Sequence, residues 1–286
     1  MRTAIGIDIG GTNIRAARVS SEGRILAHQS AATGASAAAI LAHVEQCIAQ
    51  LREPSASAVG IGVPGRVDAA AGRIFSGGFV DLSDFDLCHE IENLTGLRTF
   101  CDNDANMALF AEARIGAARG VADAIMLTIG TGIGGAILSG GRMFHGGGTA
   151  GQLGHITVSM SGGRCKCGRS GCLETESSGT ALQRHIAEAG IAPGTGIDAL
   201  LNSDSAAARR AVAAWAAPLR AGLDSLAAAF APRLFVLGGG LGGAACQALL
   251  RFPAVSPWFQ YETAAAQLGD EAGVIGAGLA ALESFA

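Results

Sequence analysis

The sequence is short of charge and of aromatic side chains. Only 15% of its 286 residues are charged and 5% are aromatic, with a single tyrosine. The net charge is -4 and like charges do not cluster, so nothing favours nucleic acid or an anionic membrane as a partner. Neither an apolar run of membrane-spanning length nor a signal peptide pattern is present. We therefore expect a cytoplasmic protein that acts on small molecules.

Cysteine is scarce outside one segment. Four of the seven cysteines, at positions 47, 88, 101 and 246, are scattered and are interpreted as small buried hydrophobic residues. The other three, Cys165, Cys167 and Cys172, lie within eight positions, and His155 precedes them by ten residues. In a reducing cytosol such a trio more often binds metal than forms disulfides. The segment therefore predicts a structural Zn²⁺ site in which one imidazole and three thiolates fill a tetrahedron.

Glycine, in contrast, is abundant, and its 43 copies fall in clusters. The first cluster separates strand-like runs at 3–9 and 14–20, and another strand follows at 24–30. A helix at 35–52, strands at 56–63 and 97–101 and a helix at 105–118 indicate an α/β arrangement. The strand, glycine turn and strand pattern recurs at 121–139. We therefore predict two related α/β domains, residues 1–118, completed by helix 274–286, and residues 119–273.

Both glycine turns join two strands, so neither the P-loop nor the dinucleotide fingerprint applies. Glycines let backbone N–H groups approach phosphate oxygens, threonine adds a hydroxyl donor, and a carboxylate at a strand end can hold hydrated Mg²⁺. The alternative is a plain tight hairpin, which the presence of two such turns disfavours. The residues that we assign to phosphate and nucleotide are Asp8, Gly10, Gly11, Thr12, Asn13, Thr131 and Gly132.

A series of motifs follows in order along the chain: Asp8-Ile-Gly-Gly-Thr, Asn103-Asp-Ala-Asn, Gly130-Thr-Gly-Ile-Gly-Gly, Gly151-Gln-Leu-Gly-His, Cys165-Lys-Cys-Gly-Arg-Ser-Gly-Cys-Leu-Glu and Leu237-Gly-Gly-Gly. This series resembles that of the ROK family of sugar kinases over essentially the whole chain. The resemblance implies an actin-like ATPase fold, with two ribonuclease-H-like α/β domains around a central cleft. It implies phosphorylation of a hexose or N-acetylhexosamine, at the 6-position, with MgATP. It also implies a homodimer.

Carried over position by position, the resemblance assigns Asp104 as the catalytic base. A helix macrodipole would keep this carboxylate ionised, and phosphoryl transfer needs mainly positioning and acceptance of a proton. The alternative is that residues 102–104 only cap a helix. The family pattern assigns sugar contacts to Asn103, Gly65, Gln152, His155 and Glu174, and adenosine contacts to Gly238, Gly239 and Gly240. For Gly65 and the last three glycines, a purely structural turn is the alternative.

Two elements depart from the family pattern. Gln152 stands where most sugar-phosphorylating members have glutamate, and an amide offers one acceptor and two donors without charge. Ser76-Gly-Gly-Phe-Val-Asp81 replaces a sugar loop of the Asn-Leu-x-x-Trp type, and Asp81 is a candidate hydroxyl acceptor or a solvated loop residue. Because polar sites discriminate strongly against hydroxyls that they cannot pair, the substrate need not be glucose.

Two other functions compete with a kinase. ROK-like effector domains also occur behind DNA-binding modules, but the sequence starts close to its first strand and shows no basic helix-turn-helix ahead of it. A catalytically weak sugar sensor is the second alternative, which Gln152 suggests and which Asp104 and the two phosphate turns oppose. The expected ligands are a sugar, ATP, Mg²⁺ and structural Zn²⁺.

Overall fold

A computed structural model describes residues 2–76, 81–83, 85–254 and 256–286. The chain forms two compact units. Unit 1 contains Met1–Gly120, Met143–Ala150 and Asp270–Ala286, and unit 2 contains Val121–Arg142 and Gly151–Gly269. Within the described ranges, no helix combines the length and the apolar character that crossing a bilayer requires.

The strands are β1 Thr3–Ile9, β2 Asn13–Ser20, β3 Ile25–Ala32, β4 Ala56–Val63, β5 Arg66–Asp68, β6 Arg73–Ser76, β7 Arg98–Asn103, β8 Ala124–Ile129, β9 Ile133–Ser139, β10 Arg142–Met143, β11 Leu234–Gly238 and β12 Glu262–Ala265. The α-helices are α1 Ala37–Leu51, α2 Leu87–Thr95, α3 Asp104–Ile115, α4 Leu173–Ser177, α5 Gly179–Glu188, α6 Ile197–Leu201, α7 Ala206–Phe230, α8 Gly242–Leu249 and α9 Ala272–Ser284. Short 3₁₀ turns cover Leu153–His155 and Gly269–Glu271.

Unit 1 is built on a sheet with the strand order β3-β2-β1-β4-β7. β1 pairs antiparallel with β2 and parallel with β4, which pairs parallel with β7. Because side chains alternate along a strand, Ile5, Ile7 and Ile9 point to one side, where they pack in a core with residues of α1 and α2. The opposite side of β1 carries the small residues Ala4 and Gly6.

Helix α9 occupies that second side at very close range. A Cβ atom added to Gly6 would overlap the carbonyl oxygen of Val274, and one added to Gly60 would overlap that of Ala277. Glycine at these two strand positions therefore lets the helix backbone approach the sheet backbone. Ala4 and Ala58 pack against Ala281 in the same interface, so small side chains continue along it.

Unit 2 repeats this arrangement with the order β10-β9-β8-β11-β12. β8 pairs antiparallel with β9 and parallel with β11, which pairs parallel with β12. Ile125, Leu127 and Ile129 of β8 lie in one core with α7, whose Trp215 is fully buried. The predicted α/β class and the internal repeat are confirmed by these two sheets.

Several details differ from the sequence analysis. Helix α3 ends at Ile115 rather than at residue 118, because Gly116 follows and the Glu112 carboxylate accepts a hydrogen bond from the Ala117 amide. The short elements α2, α4, α6, α8 and β12 and the β5–β6 hairpin were not predicted. The segment 143–150, placed by the sequence in the second domain, is part of unit 1.

Candidate active site

The first glycine turn of unit 1 lies between β1 and β2. It is closed by a hydrogen bond from the Gly10 amide to the Asn13 carbonyl, 3.0 Å. Gly11, Thr12 and Asn13 are exposed, so their polar groups are accessible to a ligand. Asp8, one residue before the end of β1, lies 3.8 Å from the Arg15 guanidinium of the paired strand. Burial raises the pKa of Asp8, with Arg15 opposing that shift.

The segment Asp102-Asn103-Asp104 connects β7 to α3, also in unit 1. Asn103 is the helix cap, because its side-chain oxygen accepts hydrogen bonds from the amides of Ala105 and Asn106. Its amide nitrogen donates to the Gly65 carbonyl at 2.9 Å. The sequence left open which of the three residues caps the helix, and the structure assigns that role to Asn103.

Asp104 is the first residue of α3 and is half-buried. Burial, and then the negative charge of Asp8, raise the pKa of Asp104 to about 7, although the Ala105 amide stabilises its ionised form. The helix start favours the ionised carboxylate, as expected, but desolvation exceeds this contribution, so the net shift of the Asp104 pKa is upward. A carboxyl group with this pKa exchanges protons near neutral pH.

The second glycine turn lies in unit 2, between β8 and β9. The Gly130 amide donates to the Gly132 carbonyl at 2.9 Å, and Thr131 is exposed. Glu174 forms an ion pair with Lys166 at 3.5 Å. It also accepts a hydrogen bond from the Ile133 amide at 3.0 Å. A Cβ atom at Gly132 would overlap this carboxylate. The second turn is therefore in direct contact with the end of the cysteine-rich segment.

His155, Cys165, Cys167 and Cys172 come together in unit 2. Their ligand atoms all lie within 4.8 Å of one another, with His155 Nδ1 3.4 Å from Cys165 Sγ and Cys167 Sγ 3.5 Å from Cys172 Sγ. Tetrahedral Zn²⁺ with Zn–S bonds of about 2.3 Å separates its ligand atoms by roughly 3.5 to 3.8 Å. A hydrogen bond from the Arg169 amide lowers the pKa of the Cys167 thiol to about 7. The donor set therefore fits a metal.

Gln152 and His155 are at the two ends of the short 3₁₀ turn. Gln152 is its N-cap, and the His155 amide donates to the Gln152 carbonyl at 3.0 Å. Leu153 is buried between them, and a Cβ atom at Gly154 would overlap the Ile133 carbonyl. The turn therefore fixes the backbone of Gln152 relative to His155 and to the start of β9.

The third glycine cluster follows β11. Gly239 has φ of +74°, and a Cβ atom there would lie 2.6 Å from the Ile129 carbonyl oxygen, so glycine is required by the backbone. At Gly240 an added Cβ would meet no described atom within 4 Å. Gly238 is buried as the last residue of β11. The backbone conformation thus explains the glycine at position 239, whereas Gly240 is exposed and its backbone is accessible to a ligand.

Comparison with known proteins decides the family. The sequence model of the ROK family matches residues 4–284. The chain belongs to the ROK family. A glucokinase of Streptomyces coelicolor is 33% identical over 97% of this chain and 96% of its own length. An N-acetylmannosamine kinase of Escherichia fergusonii is 34% identical over 63% of this chain and 62% of its own length.

A solved ROK structure has the same fold. The ROK family glucokinase from Streptomyces griseus, in complex with glucose and AMPPNP, matches with a TM-score of 0.84 at 32% identity, over 98% of this chain and 99% of that one. The two α/β units are therefore those of the actin-like ATPase fold, as the resemblance implied.

One feature of this ROK protein escaped the sequence analysis. His145 Nε2 lies 2.7 Å from Asp102 Oδ2 in unit 1, although 43 positions separate the two residues. No periodicity or spacing connects them, and the only available signal was that Asp102 adjoins the Asn103-Asp104 motif. Of the divergent loop, residues 77–80 lie outside the described part of the chain, and Asp81 is exposed and accepts hydrogen bonds from Ser83.

Proposed function

We propose that the protein phosphorylates the 6-hydroxyl of a hexose or N-acetylhexosamine with ATP, and that Asp104 is the catalytic base. The observation that carries this proposal is the half-buried carboxyl of Asp104 at the start of α3, with a pKa of about 7. A base is most effective when its pKa is close to the working pH. Family membership supplies the reaction class, since the relatives are named as glucokinase and N-acetylmannosamine kinase.

In the proposed reaction, the sugar oxygen attacks the γ-phosphorus in line with the bond to the β–γ bridging oxygen. That bond breaks, ADP leaves with the electron pair, and the hydroxyl proton passes to Asp104. Proton transfer is late in such reactions, so the main task of the protein is to position and to stabilise charge. Asn103 would assist, because its side-chain amide nitrogen, which donates a hydrogen bond to the Gly65 carbonyl, belongs to the residue that directly precedes Asp104.

The two glycine turns and the third glycine cluster are proposed to bind ATP. Exposed backbone amides and the hydroxyls of Thr12 and Thr131 would donate to phosphate oxygens. Gly240 would admit the adenosine close to the backbone. Bound Mg²⁺ neutralises phosphate charge, and Asp8 would hold it through water, since carboxylate oxygens suit that ion.

The sugar is proposed to contact Asn103, Gly65, Gln152, His155 and Glu174. Because Nδ1 of His155 faces the thiols, its other ring nitrogen is the one available to a hydroxyl. The cysteine and histidine cluster would hold structural Zn²⁺, which supplies rigidity to this wall. A cluster of reduced thiols is typical of a reducing compartment, which agrees with the proposed location in the cytoplasm. We also propose that the protein is a homodimer.

The test is ADP release with a panel of hexoses, N-acetylhexosamines and polyols, for the wild type and Asp104→Asn. We expect turnover with at least one sugar and a loss of about thousandfold in kcat for the variant, which should still unfold cooperatively and at a temperature no lower than the wild type. Asp198→Asn, on an exposed position of α6, is the matched control and should retain full activity. Sugar binding without ADP release would favour a sensor, and near-normal turnover by Asp104→Asn would remove Asp104 from the base role.

Selectivity is proposed to depend on Gln152. An amide donates as well as accepts, whereas a carboxylate only accepts, so Gln152→Glu should change the order of preference among the sugars. We expect a change of about tenfold or more in relative kcat/KM. The same panel measures it, and an unchanged order would place the selectivity elsewhere.

A further inference from the structure

Asp102 is a buried carboxylate with three donors around it. Its side chain is 4% exposed. Oδ1 accepts from the Asn103 amide at 2.6 Å and from the Asn106 side-chain amide at 2.8 Å, and Oδ2 lies 2.7 Å from His145 Nε2. Two of these three contacts are with the first turn of α3 and its cap. The third is with a residue from a distant segment of unit 1.

His145 is surrounded by acceptors and negative charge. The hydrogen bond to Asp102 is the main cause that raises the pKa of His145, and the charges of Asp102 and Asp68 and the Met143 carbonyl act in the same direction against partial burial. Both charged groups come from unit 1, Asp102 from the end of β7 and Asp68 from the end of β5. The imidazolium form is therefore favoured, and it donates from its ring toward Asp102.

His145 also organises the segment 143–150. Its carbonyl accepts hydrogen bonds from the amides of Gly148, 2.8 Å, and Ala150, 3.0 Å. A Cβ atom at Gly148 would lie 2.8 Å from Asp68 Oδ2, so the segment passes closely over that carboxylate. Gly151-Gln152 follow directly in the chain, so the same segment leads into the proposed sugar-binding turn.

We infer that His145 is a positioning residue for phosphoryl transfer: through Asp102 it fixes the capping Asn103 and the base Asp104, and it anchors the segment that precedes Gln152. This inference rests on the proposed function. The hydrogen bond between His145 and Asp102 therefore connects the Asn103-Asp104 segment with the stretch of chain that leads to Gln152. Loss of the imidazolium proton removes the positive charge beside the buried carboxylate and leaves one N–H for two acceptors, Asp102 and the Met143 carbonyl, so the interaction with Asp102 weakens.

The interaction between His145 and Asp102 should weaken as the pH rises. Because the pKa of His145 is raised in the folded state, the stabilisation from the pair is complete below the unfolded pKa and is lost as the pH rises through the folded pKa. Asp104 must be deprotonated to act as the base, so activity rises through about pH 7. The pH profile of kcat/KM for sugar should be bell-shaped, with the acid limb from Asp104 and the alkaline limb from His145.

The experiment compares the wild type with His145→Gln, which keeps a donor without charge, and His145→Arg, which keeps a cation that does not titrate. We expect His145→Gln to lose about a hundredfold in kcat/KM for sugar, with the KM for ATP little changed. His145→Arg should recover activity and lose the alkaline limb while it keeps the acid limb. His89→Gln, at an exposed position of α2, is the control and should match the wild type.

A second readout does not depend on turnover. NMR titration of the six histidines, with His145 assigned by the signal missing in His145→Gln, should show a pKa above the usual range that falls in Asp102→Asn. An active wild type whose alkaline limb persists in His145→Arg would overturn the inference and leave the proposed function intact. A His145 signal that titrates normally would also overturn it. A wild type that phosphorylates no sugar would defeat the proposed function itself.

Discussion

The two glycine turns occupy the same place in two similar sheets and yet differ in chemistry. Each follows the first strand of an antiparallel pair, and the next-to-last residue of that strand is Asp8 in unit 1 and Thr128 in unit 2. Asp8 pairs with Arg15 and Gly62, whereas Thr128 pairs with Gly134 and Gly238. A charged residue, Asp8, therefore lies in the strand that enters the first turn, whereas the equivalent residue before the second turn, Thr128, is uncharged.

The turns also differ in what supports them. The first turn is one residue longer, since Ile9 pairs with Ile14 but Ile129 pairs with Ile133. Thr33, which directly follows β3, supports it by donating to the Gly10 carbonyl at 2.6 Å. The second turn is contacted by Glu174, which follows the cluster of His155 and three cysteines. One backbone framework, used twice, thus combines a turn that follows a charged residue with an uncharged turn that a separate loop contacts.

The largest expected effect comes from the charge in the first turn. Asp8→Asn should reduce kcat by about a hundred- to thousandfold, because it removes the ligand proposed for Mg²⁺. It should also move the acid limb of the kcat profile to lower pH, since the Asp8 charge raises the pKa of Asp104. Thr128→Val is the matched change in unit 2. Kinetics over a pH series measure both, and equal losses for the two variants would erase the proposed difference between the turns.

Metal removal should act on unit 2 alone. Chelation of the proposed zinc should reduce hydrogen-exchange protection across 151–174 by about a hundredfold, and leave β1–β3 of unit 1 unchanged. Metal analysis should find about one zinc per chain. Cys246→Ser, outside the cluster, should bind as much metal as the wild type, whereas Cys172→Ser should not. A chain that is fully protected without any metal would contradict the site.

The carboxyl of Asp104, the proposed base, should lower the stability of the folded protein. The folded state binds the Asp104 proton more tightly than the unfolded state, whose pKa is near 3.8, so stability falls as the pH rises from about 4 to about 7. Asp104→Asn removes this cost and should stabilise the protein by about 1 to 3 kcal/mol at pH 8. Denaturant unfolding at pH 5 and pH 8 tests it, and a gain that does not grow with pH would refute the raised pKa.

The smallest expected effect tests the contact of Glu174 with the second turn. Gly132→Ala would displace the Glu174 carboxylate from the Ile133 amide, so the KM for ATP should rise about tenfold. Thr12, in the comparable part of the first turn, carries a side chain without such a conflict. Gly196→Ala, at an exposed position before α6, is the control. Steady-state kinetics measure the change, and identical KM values for the two alanine variants would remove the role of Glu174.

Local patterns predicted the parts of the fold that they determine. The strands of the first sheet, strands β8, β9 and β11 of the second, the long helix α7 and the repeat have periodicity or glycine turns of their own. The spacing of the cysteines also predicted that His155 and three thiols form one cluster. The short elements α6, α8 and β12 were not predicted, because four to eight residues carry too little periodicity. Tertiary packing, rather than local preference, stabilises such elements.

The electrostatics of the candidate site lay beyond the sequence. The position of Asp104 at a helix start was predictable. Its burial and the nearby charge of Asp8, which together raise its pKa, depend on the tertiary structure of unit 1. The His145–Asp102 contact depends on the return of residues 143–150 to unit 1. Both are products of long-range chain topology.

The close contact of α9 with the sheet of unit 1 has a consequence for biosynthesis. The helix is made from residues 272–284, whereas the strands that it covers are made first. Unit 2 is complete once residue 269 has left the ribosome, while the backbone of β1 and β4 still lacks its partner. The part of the protein that is translated first is therefore the last to mature, and its nascent sheet must remain uncovered while a whole second unit is synthesised.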